Sequence, residues 1–155
     1  MAKQCWLLKS EPNTFSLSDL AKSPKKTTCW EGVRNYQARN LMREMKNGDD
    51  VLFYHSNADP PAAVGTASIA REAYADTYQF DPKSKYFDAK ADPENPRWEM
   101  VDVRYGKPFT RALGLPELRE QTALAGMELL RKGSRLSVQR VTAKEWRAIL
   151  KLGGL

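Results

Sequence analysis

Short segments of β-forming residues recur along this sequence and alternate with short helical segments. The most apolar segments, residues 5–8 and 51–54, contain only four residues each. That length suits a buried strand and is far below the roughly twenty residues of a membrane helix. Because strand-like segments outnumber helical ones and the helices lie between them, the pattern predicts an α+β domain with a curled sheet or small barrel of five or more strands.

The clearest helical pattern precedes Gly48. Four apolar residues recur there at spacings of three and four, which places them on one helix face: Ala38, Leu41, Met42 and Met45. Gly48 is expected to end this helix. Pro116 opens a further predicted helix that reaches Leu124.

Two capping boxes mark further helix starts. Ser16 with Asp19, and Thr142 with Glu145, have the spacing at which each side chain bonds the other residue's backbone N–H. Residues 73–97 show little periodicity, which in a compact domain is typical of a functional or covering loop. Composition is even along all 155 residues, so we expect residues 1–155 to form one domain.

The charge balance gives the first indication of function. Lys and Arg total 25 and Asp and Glu total 19, a net charge of +6 with a pI near 9.4. This modest excess favours an anionic partner such as nucleic acid, although it also serves solubility. Cys5 and Cys29 form no disulfide framework, and the N-terminus lacks the apolar stretch of a signal peptide. We therefore expect a cytoplasmic protein with free thiols.

The sequence lacks the motifs of several common catalytic and cofactor sites. The single histidine is His55, and no CxxC or HExxH is present, which argues against a zinc site. Neither GxGxxG nor GxxxxGK[ST] occurs, so the dinucleotide and P-loop fingerprints are absent. Without GxSxG, nothing nominates a serine nucleophile. No cofactor is expected.

Three segments concentrate polar and aromatic residues directly after predicted strands: 9–12, 30–40 and 53–57. Aromatic faces can stack on an unpaired base, amides and hydroxyls can read its edge, and arginines can hold phosphates. Each residue also has an ordinary structural interpretation. The residues alone leave open a core Trp30, an N-cap Asn35, a hydrogen-bonded structural His55, a Lys9–Glu11 surface pair, and a solvated helix face with Arg39 and Arg43.

Five motifs in order resemble the EVE domain family: residues 6–12, 29–40, 53–57, 96–103 and 135–139. The resemblance runs from about Gln4 to Leu152. It implies a PUA-like fold, in which short helices ring a curled β-barrel and a pocket at the barrel mouth accepts a modified nucleobase.

The resemblance also implies which residues form that pocket. The expected base-binding residues are Lys9, Ser10, Glu11, Trp30, Val33, Asn35, Tyr36, His55, Ser56 and Gln139, and the expected phosphate-binding residues are Arg34, Arg39 and Arg43. Trp30 and another aromatic residue would enclose the base. The expected partner is RNA or DNA that carries a modified base, and that base is expected to be a modified cytosine or a related pyrimidine. The protein is expected to be a monomeric bacterial protein that does not act at membranes.

Two other functions remain open. Some domains of related PUA-like fold resemble amidohydrolases of acylated nucleosides, and Lys9, Glu11 and Thr28 could supply the lysine, glutamate and threonine of such a site. That lysine would need a pKa lowered by burial. A protein-interaction module would instead require an exposed apolar patch and no deep pocket.

Overall fold

The computed structural model describes residues 3–155. Its strands are β1 (Cys5–Ser10), β2 (Thr27–Cys29), β3 (Asp50–His55), β4 (Ala62–Ala75), β5 (Glu99–Gly114) and β6 (Val138–Val141). Its helices are α1 (Leu17–Lys22), α2 (Tyr36–Met42), α3 (Leu115–Arg119) and α4 (Ala143–Leu152). None of the helices in this described part of the chain has the length and apolar character needed to cross a membrane.

The strands form one mixed sheet in the order β2-β5-β4-β3-β1-β6. β1 and β3 are parallel, and the other neighbouring pairs are antiparallel. The predicted α+β class with at least five strands is confirmed. The sheet is open and does not close into a barrel, because the short strands β2 and β6 lie at its two edges and do not pair with each other.

Both faces of the central strands are buried, which explains their uninterrupted apolar sequences. Trp6 and Leu8 of β1 pack in one apolar cluster with Met42 of α2. Leu7 points to the opposite face, where a second cluster includes Ile149 of α4. The sheet therefore separates two cores, one under α1 and α2 and the other under α3 and α4.

Both capping boxes are confirmed at the starts of α1 and α4. The helix predicted to reach Gly48 ends earlier, at Met42. A buried carboxylate accounts for the turn that follows. Asp49 accepts hydrogen bonds from the backbone N–H of Lys46 and of Gln4, and from the indole of Trp6, over 2.9–3.2 Å. These bonds draw residues 46–49 back against β1.

The segment after β4 is held by polar side chains rather than by an apolar stripe. β4 continues to Ala75, where it still pairs with Glu99 of β5. Beyond it, the buried Gln79 donates to the carbonyls of Asp76 and Trp98 and accepts from the Trp98 backbone N–H. This pattern has no helical or strand period, so the sequence indicated a functional or covering loop and did not predict these contacts.

The connection between β5 and β6 differs from the predicted helices. The helix opened by Pro116 ends at Arg119 rather than at Leu124, and a separate 3-10 turn follows at Thr122–Leu124. Gln121 between them has extended backbone angles, so helical hydrogen bonding cannot continue through it.

Candidate functional site

A cavity of about 450 Å³ lies beside the carboxyl end of β1. We call it the β1 cavity. β1 and the loop after it provide Lys9, Ser10, Glu11, Thr14 and Phe15, and β2 with its connection to α2 provides residues 28–34. The segment between β4 and β5, residues 76–98, adds Lys85 and Tyr86, and Ser137 completes the lining. We call residues 76–98 the covering segment. Six of the thirteen sequence-predicted site residues therefore lie together: Lys9, Ser10, Glu11, Trp30, Val33 and Arg34.

Trp30 is at once a core residue and a wall of the β1 cavity. Trp30 is only 9% exposed to solvent. The indole packs edge to face against Phe53, with ring centroids 5.5 Å apart, and against Phe15 at 6.3 Å. These contacts fix the plane of the ring in advance, so a ligand that stacks on it would lose little side-chain freedom on binding.

Two carboxylates, Glu11 and Glu31, line the same cavity. Glu11 Oε1 accepts a hydrogen bond of 3.3 Å from Asn57, and Glu31 Oε2 accepts one of 3.4 Å from the thiol of Cys29. Burial and the neighbouring Glu31 raise the pKa of Cys29 to about 11, so this thiol stays protonated. Within residues 3–155 neither carboxylate has a cation within 4.0 Å. Both therefore keep acceptor sites for a ligand.

Lys9 lies at the end of β1 with its ammonium 5.9 Å from the centre of the Tyr54 ring. Burial lowers the pKa of Lys9, and the nearby Glu128 partly opposes that shift. Thr28 lines the β1 cavity together with Lys9 and Glu11. The Thr28 hydroxyl, however, donates to the carbonyl of Cys29 at 3.4 Å. No hydrogen bond in the described residues joins the three groups to one another.

Arg34 fastens the covering segment to the β1 cavity. Its guanidinium donates to the Tyr86 carbonyl through Nε and Nη2, at 3.1 and 2.8 Å, and to Asp76 through Nη1 at 2.9 Å. The Asp76 side chain is fully buried and also accepts from the Gly32 N–H at 2.9 Å. Since most of its donors are used inside the protein, the arrangement supports a structural role for Arg34, and its contact with phosphate stays a prediction.

Gly32 permits the close approach of the aromatic ring of Tyr86. Its φ is +88°, and a Cβ at this position would lie 2.5 Å from the Tyr86 ring. Only glycine meets both conditions without strain. The ring therefore lies directly against the backbone of the β2–α2 connection, where it lines the cavity together with Trp30.

Four other predicted base-binding residues are not part of the cavity lining: Asn35, His55, Ser56 and Gln139. Asn35 is the N-cap of α2, where its side chain accepts from the Ala38 N–H at 2.9 Å. His55 Nε2 accepts from the Leu17 N–H at 3.1 Å, and burial lowers the pKa of the imidazole. Both contacts match the structural interpretations that the sequence had left open.

The remaining two residues of that group also make internal contacts. Ser56 donates its backbone N–H to the Ser10 carbonyl at 3.0 Å, which joins the ends of β1 and β3. Gln139 is buried and donates to the Leu136 carbonyl at 2.8 Å, while its Oε1 has no hydrogen-bond partner within residues 3–155. Its register partner is Leu7, so it belongs to the sheet face of the second core.

The last three predicted residues form a second surface, the α2 depression, of about 310 Å³. Its lining consists of Tyr36, Arg39, Arg43, Lys90, Asp92, Asn95, Pro96 and Arg97. Tyr36 is 52% exposed and stacks on Trp98 with centroids 4.9 Å apart. The arginines already have internal partners. Arg39 donates to Asn40 and to the Arg97 carbonyl, and Arg43 pairs with Glu99.

Sequence reasoning missed several lining residues, notably Glu31, Lys85 and Tyr86. Glu31 lies inside the 29–40 motif, so the motif itself could have nominated it. Tyr86 lies 52 residues from Arg34, in a segment without periodicity. Only the folded arrangement brings it to the cavity.

The fold and the site together define an α+β domain with a concave cavity at the carboxyl end of β1, in which aromatic walls are combined with polar groups that can orient a ligand. The EVE domain family model matches residues 4–152, and the chain belongs to this family. The resemblance drawn from the five motifs and the PUA-like fold class that it implied are confirmed.

Relatives with known names or solved structures match over nearly the whole chain. Thymocyte nuclear protein 1 of Danio rerio is 42% identical over 95% of this chain and 71% of its own length. Human THYN1 protein, whose crystal structure is in complex with 5-methylcytosine containing DNA, is 39% identical in sequence to this chain. The two structures match over 99% of each chain with a TM-score of 0.93. A hypothetical protein from Leishmania major is 48% identical, covers 99% of this chain and 96% of its own, and has a TM-score of 0.93.

Proposed function

We propose that this protein binds nucleic acid that carries a modified cytosine and holds that base in the β1 cavity against Trp30. The observation that carries the proposal is the combination of a pre-positioned indole wall with two unpaired carboxylates in one cavity of about 450 Å³. The human relative crystallised with 5-methylcytosine containing DNA supports the same ligand class and favours DNA.

The carboxylates support cytosine over thymine. Cytosine presents an N4 amino donor on its edge, whereas thymine presents an O4 acceptor at the same position. Glu11 and Glu31 can only accept hydrogen bonds while ionised. An amino pyrimidine therefore satisfies them, and a keto pyrimidine would place an oxygen against a carboxylate.

The other predicted residues take different parts in this proposal. Tyr86 is the second aromatic residue of the cavity and the candidate to enclose the base opposite Trp30. Lys9, Ser10 and Val33 line the remaining wall. Asn35, His55, Ser56 and Gln139 act by holding the loops around the cavity, through the internal hydrogen bonds described above.

A comparison of three oligonucleotides tests the proposal. They differ only at one central base, which is cytosine, 5-methylcytosine or thymine, and thymine carries the same methyl group as 5-methylcytosine. We expect the protein to bind the 5-methylcytosine strand at least about fivefold more tightly than the thymine strand, since one good base-edge contact contributes about 1–3 kcal/mol of discrimination. Equal dissociation constants for 5-methylcytosine and thymine would overturn it.

Glu31→Gln is the informative variant. A glutamine side chain can donate as well as accept, so we expect the preference for 5-methylcytosine over thymine to fall below about threefold. Glu120→Gln is the matched control, because Glu120 is exposed and lies outside the cavity. It makes the same change of charge and should leave the preference intact.

Hydrolysis of an acylated nucleoside is the second candidate function. Lys9, Glu11 and Thr28 line one cavity, and burial lowers the pKa of Lys9. The lack of hydrogen bonds among the three within residues 3–155 favours binding over catalysis. Incubation with an N4-acylated cytidine, followed by mass analysis, distinguishes the two. Release of the free nucleoside by the parent protein but not by Lys9→Met would favour the hydrolase.

The cellular setting is part of the same proposal. Cys5 and Cys29 are free cysteines, which supports the expected location in a reducing cytoplasm. We also retain the expectation of a monomer, which sedimentation of the full chain would test.

A further inference from the structure

A second cavity, of about 440 Å³, lies on the other side of Lys9. We call it the basic cavity. Its lining combines four cationic side chains with a phenol, a hydroxyl and apolar residues of the β5–β6 connection: Lys9, Tyr54, Leu115, Arg119, Leu129, Leu130, Arg131, Lys132, Gly133 and Ser134. No carboxylate is among these residues.

The charge of the basic cavity is largely uncompensated. Among residues 3–155 neither Arg119 nor Lys132 has a carboxylate within 4.0 Å. Arg131 pairs with Glu128, which lies beside the cavity and also accepts from the Ser134 hydroxyl. Even when Glu128 is counted, the group carries three net positive charges. An anion placed there would meet Arg119 and Lys132 without a competing carboxylate within 4.0 Å among the described residues.

Tyr54 adds a neutral donor to this surface. Burial raises the pKa of its phenol to about 12, with the nearby Arg119 partly opposing that shift, so the hydroxyl remains protonated at neutral pH. Lysine, arginine and tyrosine donors around one space are the usual contacts of phosphate oxygens.

The two cavities are neighbours, because Lys9 lines both. A ligand whose base occupies the β1 cavity could therefore continue past Lys9 without leaving the protein surface. The α2 depression is less suited to this role, since Arg39, Arg43 and Arg97 are each engaged by internal hydrogen bonds or ion pairs.

We infer that the basic cavity binds the phosphodiester backbone of the strand whose modified base lies in the β1 cavity. This inference rests on the proposed function and moves the main phosphate contact from Arg34, Arg39 and Arg43 to Arg119 and Lys132. Lys9 then lies between base and phosphate. Arg131 contributes less, because Glu128 already neutralises it.

The test is the salt dependence of binding by the full-length protein. Fluorescence anisotropy with a labelled strand containing one 5-methylcytosine is measured from 50 to 200 mM salt for the parent and for Arg119→Gln/Lys132→Gln. Loss of two phosphate contacts should flatten the slope of log affinity against log salt by about 1.4 for a single strand or about 1.8 for a duplex. The preference for 5-methylcytosine over thymine should not change.

Two matched double variants make the result specific. Arg147→Gln/Lys151→Gln removes the same charge from exposed positions on α4, and Arg39→Gln/Arg43→Gln removes it from the α2 depression. A flattening confined to Arg119→Gln/Lys132→Gln supports the inference. Equal flattening by the α4 variant, or full flattening by the α2 variant alone, overturns it.

The outcomes also separate this inference from the proposed function. A parent protein that prefers 5-methylcytosine, with an unaltered slope in Arg119→Gln/Lys132→Gln, overturns the backbone site and leaves the base site standing. A parent protein without base preference, whose slope still flattens in that variant, overturns the base site and with it the link between the two cavities, and leaves a backbone site that does not depend on a modified base. Absence of any nucleic acid binding overturns both.

Discussion

Replacement of Asp76 should destabilise the fold and disorganise the candidate site together. The carboxylate is fully buried and accepts three hydrogen bonds of 2.9 Å, from the Gly32 N–H, the Tyr78 N–H and the Arg34 guanidinium. Asp76→Ala leaves two backbone donors and one cation without this partner. Removing one partner of a buried ion pair costs about 3–5 kcal/mol. Because the Arg34 side chain is 22% exposed and can regain some hydration, we expect the lower end, about 3 kcal/mol.

Urea unfolding at 25 °C and pH 7, followed by tryptophan fluorescence, measures this loss. Asp81→Ala is the matched control, because Asp81 is exposed and its carboxylate accepts, among the described residues, only a local bond from the Lys83 N–H. It should change the free energy of unfolding by less than about 1 kcal/mol. A loss below about 1 kcal/mol for Asp76→Ala would show that the Arg34–Asp76 contact does not hold the covering segment in place.

Three further variants test separate features. Trp30→Ala should weaken binding of the 5-methylcytosine strand by about 1–3 kcal/mol through lost stacking, with the salt slope unchanged; affinity equal to the parent's would contradict the stacking role. Gly32→Ala should weaken the same binding in anisotropy titrations, because the added Cβ meets the Tyr86 ring at a φ of +88°; unchanged affinity would show that this ring is not needed. His55 has a folded-state pKa lowered from 6.5 by burial, with Asp19 partly opposing. The unfolded chain then binds more protons below pH 6.5, so stability should fall as pH drops from 7 to 5, and His55→Gln should reduce that fall in urea titrations at both pH values. An identical fall in the variant would exclude His55 as the cause.

Local sequence patterns were sufficient for the parts of the fold that neighbouring residues decide. The apolar segments at 5–8 and 51–54 became the two parallel central strands, buried on both faces. Capping boxes depend on two residues three positions apart, and both formed as expected. The helix before Gly48 was predicted too long, because the Asp49 carboxylate binds the Lys46 N–H of its own turn together with Gln4 and Trp6, which are distant in sequence.

Local sequence patterns were not sufficient to decide which residues form the candidate site. Lys9, Glu11 and Trp30, which the motifs nominated for one pocket, do line one cavity, although three strands separate β2 from β1 in the sheet. They could not distinguish a free arginine from a paired one. Whether Arg34 is available to a ligand depends on Asp76, 42 residues away.

Sequence alone thus determined the family, the strand-rich α+β class and the identity of the stacking residue to test. Tertiary structure alone decided that Tyr86 reaches the cavity, that Asn35 and His55 cap helices, and that the unpaired cations lie beside Lys9. The physical reason is the distance along the chain over which each kind of interaction acts. Capping and periodicity act over one or two turns of chain, whereas the charge state and partners of a polar side chain depend on groups that the sheet register brings from tens of residues away.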